Sequence, residues 1–238
     1  MPNYPRIMLL SALAAGVCLG GAAAFPFGLG AAASQLMGFG TDPTKVQIAL
    51  LATVVISGFI IGGAAWGGAL AWIVGYPERG RIMWAGALGF GPATLAAALG
   101  LGALEPIAAQ SFPELPLHTI FTLLFVPAVF IVNAVLGAAL GVAIRAGKEG
   151  ARLALAAGLA GALAFAVVDL AMDALGYRVG APHAAERATM ITVAMVSNLG
   201  AALNSGAMMG LLLARQLAQA AMKPGPIATE EMASLRSP

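Results

Sequence analysis

Six long apolar stretches, none of which contains a lysine or an arginine, dominate this sequence of 238 residues. A helix that crosses the hydrocarbon core of a bilayer needs about 20 largely apolar residues, and every stretch meets that length. Short segments rich in glycine and proline separate them, as expected where helices end at the membrane interface. The pattern predicts an all-α, polytopic membrane protein. The six predicted spans are residues 7–25, 46–74, 82–104, 119–144, 153–175 and 190–213.

Composition argues against a water-soluble fold, because 60% of the residues are hydrophobic and only 9% are charged. An average soluble domain has about 25% charged residues. Residues 1–222 are therefore expected to form a single transmembrane domain. The segment 223–238 contains Pro224, Pro226 and two glutamates, and it is expected to be a flexible cytoplasmic tail.

The distribution of positive charge predicts that both termini lie in the cytoplasm. Cytoplasmic loops retain lysine and arginine, and with six spans nine of the twelve basic residues fall on the side of the termini. We therefore expect a multi-pass protein of the cell membrane with cytoplasmic ends. The nine residues are Arg6, Arg79, Arg81, Arg145, Lys148, Arg152, Arg215, Lys223 and Arg236, and the three on the opposite side are Lys45, Arg178 and Arg187.

The first stretch has an alternative interpretation as a secretory signal peptide. Arg6 precedes a run rich in leucine and alanine that ends at three small residues, Ala22 to Ala24, as a cleavage site requires. Cleavage there would leave five helices. We favour a span, because the apolar run is as long as a membrane crossing.

The side chains that cofactor sites and catalytic sites require are scarce. Cys18 is the single cysteine, and His118 and His183 are the two histidines, both outside the predicted spans. We therefore expect no resident metal or cofactor. No Gly-x-Ser-x-Gly, His-Glu-x-x-His or P-loop element is present, so neither an enzyme nor a nucleotide-binding protein is expected. The net charge of +2, without a basic block, gives no indication of a nucleic-acid partner.

Pairs of glycines recur at four-residue spacing in the predicted spans. This spacing places small residues on one helix face, which allows helix backbones to approach closely in lipid. We favour packing within the chain over a dimerisation face, and a homo-oligomer stays an alternative. The predicted packing glycines are Gly58, Gly62, Gly63, Gly67, Gly137, Gly141, Gly206 and Gly210.

A weak internal repeat is visible in two polar turns. Glu78 and Arg81 precede the third span, and Glu149 and Arg152 precede the fifth span 71 residues later. Helices rich in alanine, glycine and leucine resemble each other by composition alone. We therefore favour chance similarity over a true repeat.

Polar side chains inside the predicted spans are the candidate functional residues. An asparagine in lipid usually bonds to a neighbouring helix, a contribution of roughly 1 kcal/mol, so for Asn133 and Asn204 we favour a structural role. Ionisable groups inside a span are costly and by default mark a functional or pairing site. The predicted polar cluster consists of Asn133, Asp169, Asp173, Ser197, Asn198 and Asn204.

Asp169 and Asp173 lie four residues apart and therefore project from one face of the predicted fifth helix. At 1.5 Å per residue, Asp169 lies roughly 9 Å from the outer helix end, and Ser197 and Asn198 lie at about 11–12 Å, so we expect these groups to be neighbours. No predicted span offers a basic side chain. An ionised Asp169 would need a bound cation, a partner's base or Arg178. A proton- or cation-handling role and a plain hydrogen-bonding role both stay open, and we expect Asp169, the deeper carboxyl, to matter more than Asp173.

These observations leave two classes of function open. The first is a transporter of a small solute or ion, in one version proton-coupled, or the membrane-embedded substrate-binding component of such a transporter. The second is a non-catalytic structural or assembly subunit of a larger membrane complex, with other membrane subunits as partners. Transport requires a water-accessible polar path, whereas a packing subunit requires only bonds between helices. We favour transport because of the aspartates inside a span.

The predicted topology is testable with single cysteines in a variant that lacks Cys18. Arg79→Cys and Arg152→Cys are expected to be protected from a membrane-impermeant thiol reagent in intact cells, because both positions lie in predicted cytoplasmic turns. His183→Cys is expected to react. Mass spectrometry of the labelled protein measures the modified fraction. Labelling of Arg79→Cys from outside would contradict the six-helix topology.

Overall fold

The computed structural model describes residues 2–22, 45–115, 117–175 and 184–222, and all regular structure in these ranges is helical. This confirms the predicted all-α class. We number the helices in chain order, and α1 continues into a π-helical turn, Gly16–Gly20. The helices are α1 Tyr4–Ala15, α2 Lys45–Val74, α3 Arg79–Ser111, α4 Leu117–Ala143, α5 Lys148–Ala174 and α6 Ala184–Met222.

Five of these helices, α2 to α6, are long and apolar enough to cross a membrane, as in a multi-pass membrane protein. Helix α2 matches its predicted span to within one residue, whereas α3 extends to Ser111 and α6 to Met222. Prolines 92, 106 and 127 lie inside α3 and α4 without ending them. In a membrane bundle, packing against neighbouring helices compensates for the lost backbone bonds. The described residues do not include the segment 23–44 between the first two predicted spans, Arg178, His183 or the tail 223–238.

The helices form a closed ring. Each helix contacts the next one along the chain, and α6 returns to contact α1, which also packs against α2. The guanidinium of Arg215, near the end of α6, lies 6.0 Å from the centre of the Tyr4 ring at the start of α1. The two ends of the described chain therefore lie together. We call this end of the bundle the turn end, because the α2–α3 and α4–α5 turns also lie there.

Glycines bring neighbouring helices into backbone contact around the ring. A Cβ atom at Gly63 of α2 would overlap the carbonyl oxygen of Gly86 in α3, and a Cβ at Gly86 would overlap that of Gly63. A Cβ at Gly62 would overlap the Ala22 side chain and lie 2.7 Å from the carbonyl oxygen of Cys18 in α1. Backbones this close gain dispersion energy that lipid tails cannot replace.

Three helix pairs share the same contact pattern, each centred on a predicted packing glycine. A Cβ at Gly137 of α4 would lie 2.8 Å from the carbonyl oxygen of Leu153 in α5, and one at Gly206 of α6 would lie 2.8 Å from that of Ser11 in α1. Gly67 of α2 faces the carbonyl of Ile82 in α3 in the same way. The pairs α2–α3, α4–α5 and α6–α1 are therefore built alike.

The two turns repeat each other in detail as well. The amides of Gly75 and Tyr76 donate to the carbonyls of Trp72 and Ala71 at 3.2 and 2.8 Å, which is the Schellman pattern at a helix C-terminus. Arg145 and Ala146 make the same two bonds, to Val142 and Gly141, at 3.1 and 2.9 Å. The residue that ends each helix has a positive φ, 71° at Gly75 and 55° at Arg145.

An ion pair follows each turn. Arg81 pairs with Glu78, whose pKa is lowered by this hydrogen bond, and Arg152 pairs with Glu149 at 2.7 Å. The resemblance between the two turns therefore extends to their geometry. The α2–α3 and α4–α5 hairpins have equivalent turns and equivalent contacts, which composition alone did not reveal.

Buried side chains close the ring at the turn end. Gly67, Gly137 and Gly206 are each followed, three residues later, by a side chain that is 0% exposed. These side chains are Leu70, Leu140 and Met209. They belong to one hydrophobic cluster that includes residues of all six helices. The residues that precede the same glycines, Trp66, Leu136 and Ser205, are also 0% exposed. Together these six side chains form what we call the closing layer.

Two substitutions on α3 test the role of the glycine contacts. Gly86→Ala is expected to destabilise the protein by about 1–3 kcal/mol, because the new methyl group overlaps the α2 backbone. Gly100→Ala is the matched control. A Cβ there meets nothing within 4 Å, so the higher helix propensity of alanine is expected to leave stability unchanged or raise it by up to about 1 kcal/mol. Thermal unfolding in detergent measures both, and equal effects would contradict the packing account.

Candidate functional site

A cavity of about 260 Å³ lies inside the ring, next to the closing layer. Five helices line it, and α5 contributes no lining residue among those described. Three lining residues occupy equivalent positions, eight residues before Gly67, Gly137 and Gly206. They are Phe59 of α2, Val129 of α4 and Asn198 of α6. The repeated helix pairs therefore place three non-identical side chains around one central space.

The cavity lies near the middle of the bundle. Asn133, which lines it, is ten residues from the end of α4, or about 15 Å along the helix. The hydrocarbon core of a bilayer is about 30 Å thick. Small-solute sites in transporters commonly lie at this depth, at the interface between repeats.

Among the described residues, three polar side chains line the cavity: Thr94, Asn133 and Asn198. The Thr94 hydroxyl donates to the carbonyl of Phe90 at 2.7 Å, and the Asn133 amide nitrogen donates to the carbonyl of Val129 at 2.8 Å. Asn133 is buried and packs directly against Gly161 of α5, where a Cβ would lie 2.6 Å from that nitrogen. The position of Asn133 is thus fixed from both sides, by its own helix and by α5.

Asp169 is placed elsewhere, in the seam between α4 and α5. The hydroxyl of Thr122 on α4 donates to Asp169 Oδ2 at 2.5 Å. Both residues are half-buried, and neither is among the residues that line the cavity. Asp169 therefore connects α4, which lines the cavity, to α5, which does not.

Ser197 and Asn204, two further residues of the predicted polar cluster, have different surroundings. Ser197 is 0% exposed, and its hydroxyl has no hydrogen-bond partner among the described residues. Ser197 therefore makes no bond to Asp169 or Asp173, because equal depth on two helices does not make two side chains face each other. Asn204 donates to the Ala160 carbonyl of α5 at 2.7 Å. Asp173 is half-buried, one helical turn beyond Asp169.

The packing glycines were predicted as a group, and their contacts differ. Gly141 faces Gly150 of α5 with a Cβ distance of 2.6 Å, and Gly210 packs against the Ser11 side chain of α1. Gly58 lies instead on an open groove between α1 and α2, together with Cys18 and Ser57. Most of the predicted glycines therefore lie at contacts between helices of the same chain.

Sequence reasoning missed three important residues. Thr122 was overlooked because one hydroxyl in an apolar span is unremarkable, although its position five residues after the start of α4 places it near the level of Asp169 on α5. Phe59 and Phe90 were overlooked because an apolar side chain that lines a cavity has the same sequence signature as one in a packed core. They contact each other edge to face, with ring centres 6.0 Å apart and planes at 87°.

Comparisons of the chain with protein-family models, curated proteins and solved structures gave no match.

The bond between Thr122 and Asp169 is testable by a double-mutant cycle. Thr122→Val and Asp169→Leu are each expected to destabilise the protein by roughly 1 kcal/mol, and the double variant by no more than the worse single variant, because both remove the same bond. Thr94→Val is the matched control. Its hydroxyl bonds within α3, so its effect is expected to add to that of Asp169→Leu. Unfolding in detergent gives the values, and full additivity of the Thr122 pair would contradict the bond.

Proposed function

We propose that this protein is a membrane-embedded carrier of a small solute, or the substrate-binding component of one, and that the central cavity is its binding site. The single observation that carries the proposal is the cavity at mid-depth, with polar groups on three helices and a fully buried layer on one side. A packing subunit has no need for such a space. A solute bound in such a space gains dispersion contacts with its walls.

The proposal includes a six-span topology with both ends in the cytoplasm. Its support is the position of α1 in the ring, where it runs from Tyr4 beside Arg215 to Gly20, whose Cβ would lie 3.0 Å from the Leu199 side chain. Over these residues a helix advances about 24 Å, which approaches the thickness of the hydrocarbon core. The basic residues Arg79 and Arg145 lie at the same end of the bundle, as the charge rule for cytoplasmic loops requires.

In this account the closing layer is the cytoplasmic gate. Release of solute toward the cytoplasm requires the side chains around Trp66 and Leu70 to separate. The Trp66 indole N–H is fully buried and has no acceptor among the described residues. Separation of the layer would expose this N–H group to hydrogen-bond acceptors.

The proton-coupled version of the proposal assigns the coupling to Asp169. Its bond to Thr122 joins α4 to α5, so a change in its charge would alter the position of a helix that lines the cavity. Asp169→Asn is expected to change the pH dependence of solute retention in the assay below. An unchanged pH dependence would exclude this version and leave solute binding intact.

The experiment that tests the proposal is mass spectrometry of small molecules that copurify with the protein in mild detergent. The native chain is expected to retain one solute in stoichiometric amount. Ala128→Phe is expected to abolish retention, because Ala128 lines the cavity and phenylalanine fills it. Ala96→Phe, the same change at an exposed position of α3, is expected to retain the solute.

Two outcomes would contradict the proposal. The first is retention that Ala128→Phe leaves unchanged. The second is the absence of a solute together with a stoichiometric set of partner proteins, which favours the alternative function, a non-catalytic subunit of a larger membrane complex.

A further inference from the structure

The chemistry of the cavity wall specifies the class of solute, and this inference rests on the proposed binding site. Aromatic rings from three helices face the space: Phe59, Phe90 and Phe125. The polar groups are the hydroxyl of Thr94 and the amides of Asn133 and Asn198. No lysine, arginine, histidine, aspartate or glutamate is among the described lining residues.

The absence of charge from this wall is decisive for ions. A charged group in the middle of a membrane bundle requires an opposite charge or several oriented dipoles. The described wall provides no opposite charge, and the carboxyl of Asp169 bonds to Thr122 outside it. A charged solute that gives up hydration against this wall therefore gains no opposite charge in return, whereas an uncharged solute needs none.

The side chains of Asn133 and Thr94 leave acceptor atoms for a solute. An asparagine side chain has two N–H donors and one carbonyl oxygen, and the Asn133 nitrogen is turned toward the backbone of its own helix and toward Gly161. The oxygen is the part of this amide left for a solute. The Thr94 hydroxyl donates its proton to Phe90, so only its oxygen is available, again as an acceptor. A complementary solute carries an N–H or O–H donor.

The size of the space completes the description. A cavity of about 150 Å³ lined by apolar side chains holds one benzene molecule. The cavity here, about 260 Å³, therefore accommodates one aromatic ring with a polar substituent, or two fused rings. Rings of this kind stack against phenylalanine with a gain beyond the area that they bury.

We infer that the cavity binds an uncharged, ring-containing molecule that donates a hydrogen bond to Asn133. The solute enters in its neutral form, its ring packs among Phe59, Phe90 and Phe125, and its N–H or O–H group points to the amide oxygen. The described wall disfavours simple inorganic ions and charged metabolites by the same reasoning.

Four probes of nearly equal shape test this inference: benzamide, acetophenone, benzoate and benzamidinium. Their binding is measured by calorimetry and by saturation-transfer NMR on the whole chain in nanodiscs, with empty nanodiscs subtracted. Benzamide, neutral with an N–H donor, is expected to bind best. Acetophenone lacks the donor and is expected to bind about fivefold more weakly, the equivalent of one hydrogen bond. The two ions are expected to bind roughly 100-fold more weakly.

A matched pair of variants ties the preference to one atom. Asn133→Leu is expected to abolish the advantage of benzamide over acetophenone while acetophenone still binds, which shows that the cavity is intact. Asn204→Leu, the same change at an exposed residue outside the cavity, is expected to keep the native preference.

Three results would overturn the inference: equal binding of an ion and benzamide, a preference for benzamide that survives Asn133→Leu, or no saturable binding of either neutral probe. None of these three results decides the proposed function, which is tested separately by the effect of Ala128→Phe on the copurifying solute. If Ala128→Phe fails to alter retention while benzamide binds as described, the proposed function is wrong and the cavity chemistry stands.

Discussion

The structure depends on direct backbone contact between helices at glycines. Where Gly63 of α2 meets Gly86 of α3, each carbonyl occupies the space that a Cβ would need on the other helix. Lipid tails are as apolar as leucine, so helices in a bilayer gain little by hiding apolar side chains, and close packing must hold them together. Similar contacts in the α4–α5 and α6–α1 pairs fix the spacing of the ring.

The cavity follows from this packing. At the level of Gly67, Gly137 and Gly206 the helices approach closely, and side chains such as Leu70 and Met209 fill the centre. About two turns farther from the turn end, the same repeated positions carry Phe59, Val129 and Asn198, which leave the centre open. A repeat with unequal side chains thus produces a packed layer and an open site in one bundle. Function would require only that the packed layer opens.

Much of the fold could be predicted from the sequence, because membrane spans obey simple rules of length and polarity. Helix α2 ends at Val74, where the prediction placed it, since Gly75 and Pro77 follow. No such rule predicts which side chains on two helices form a hydrogen bond with each other. Equal depth suggested Ser197 as the partner of Asp169, yet the bond comes from Thr122 on α4. The hairpin repeat was likewise hidden, because it lies in turn geometry and glycine contacts more than in residue identity.

The position of a bound probe tests the central claim most directly. Crystals of the native protein soaked with 4-bromobenzamide locate the bromine by its anomalous scattering. The account predicts a peak in the central cavity, bordered by Phe59, Phe90 and Asn133. Bromine found only on the lipid-facing surface, with the central cavity unoccupied, would contradict it.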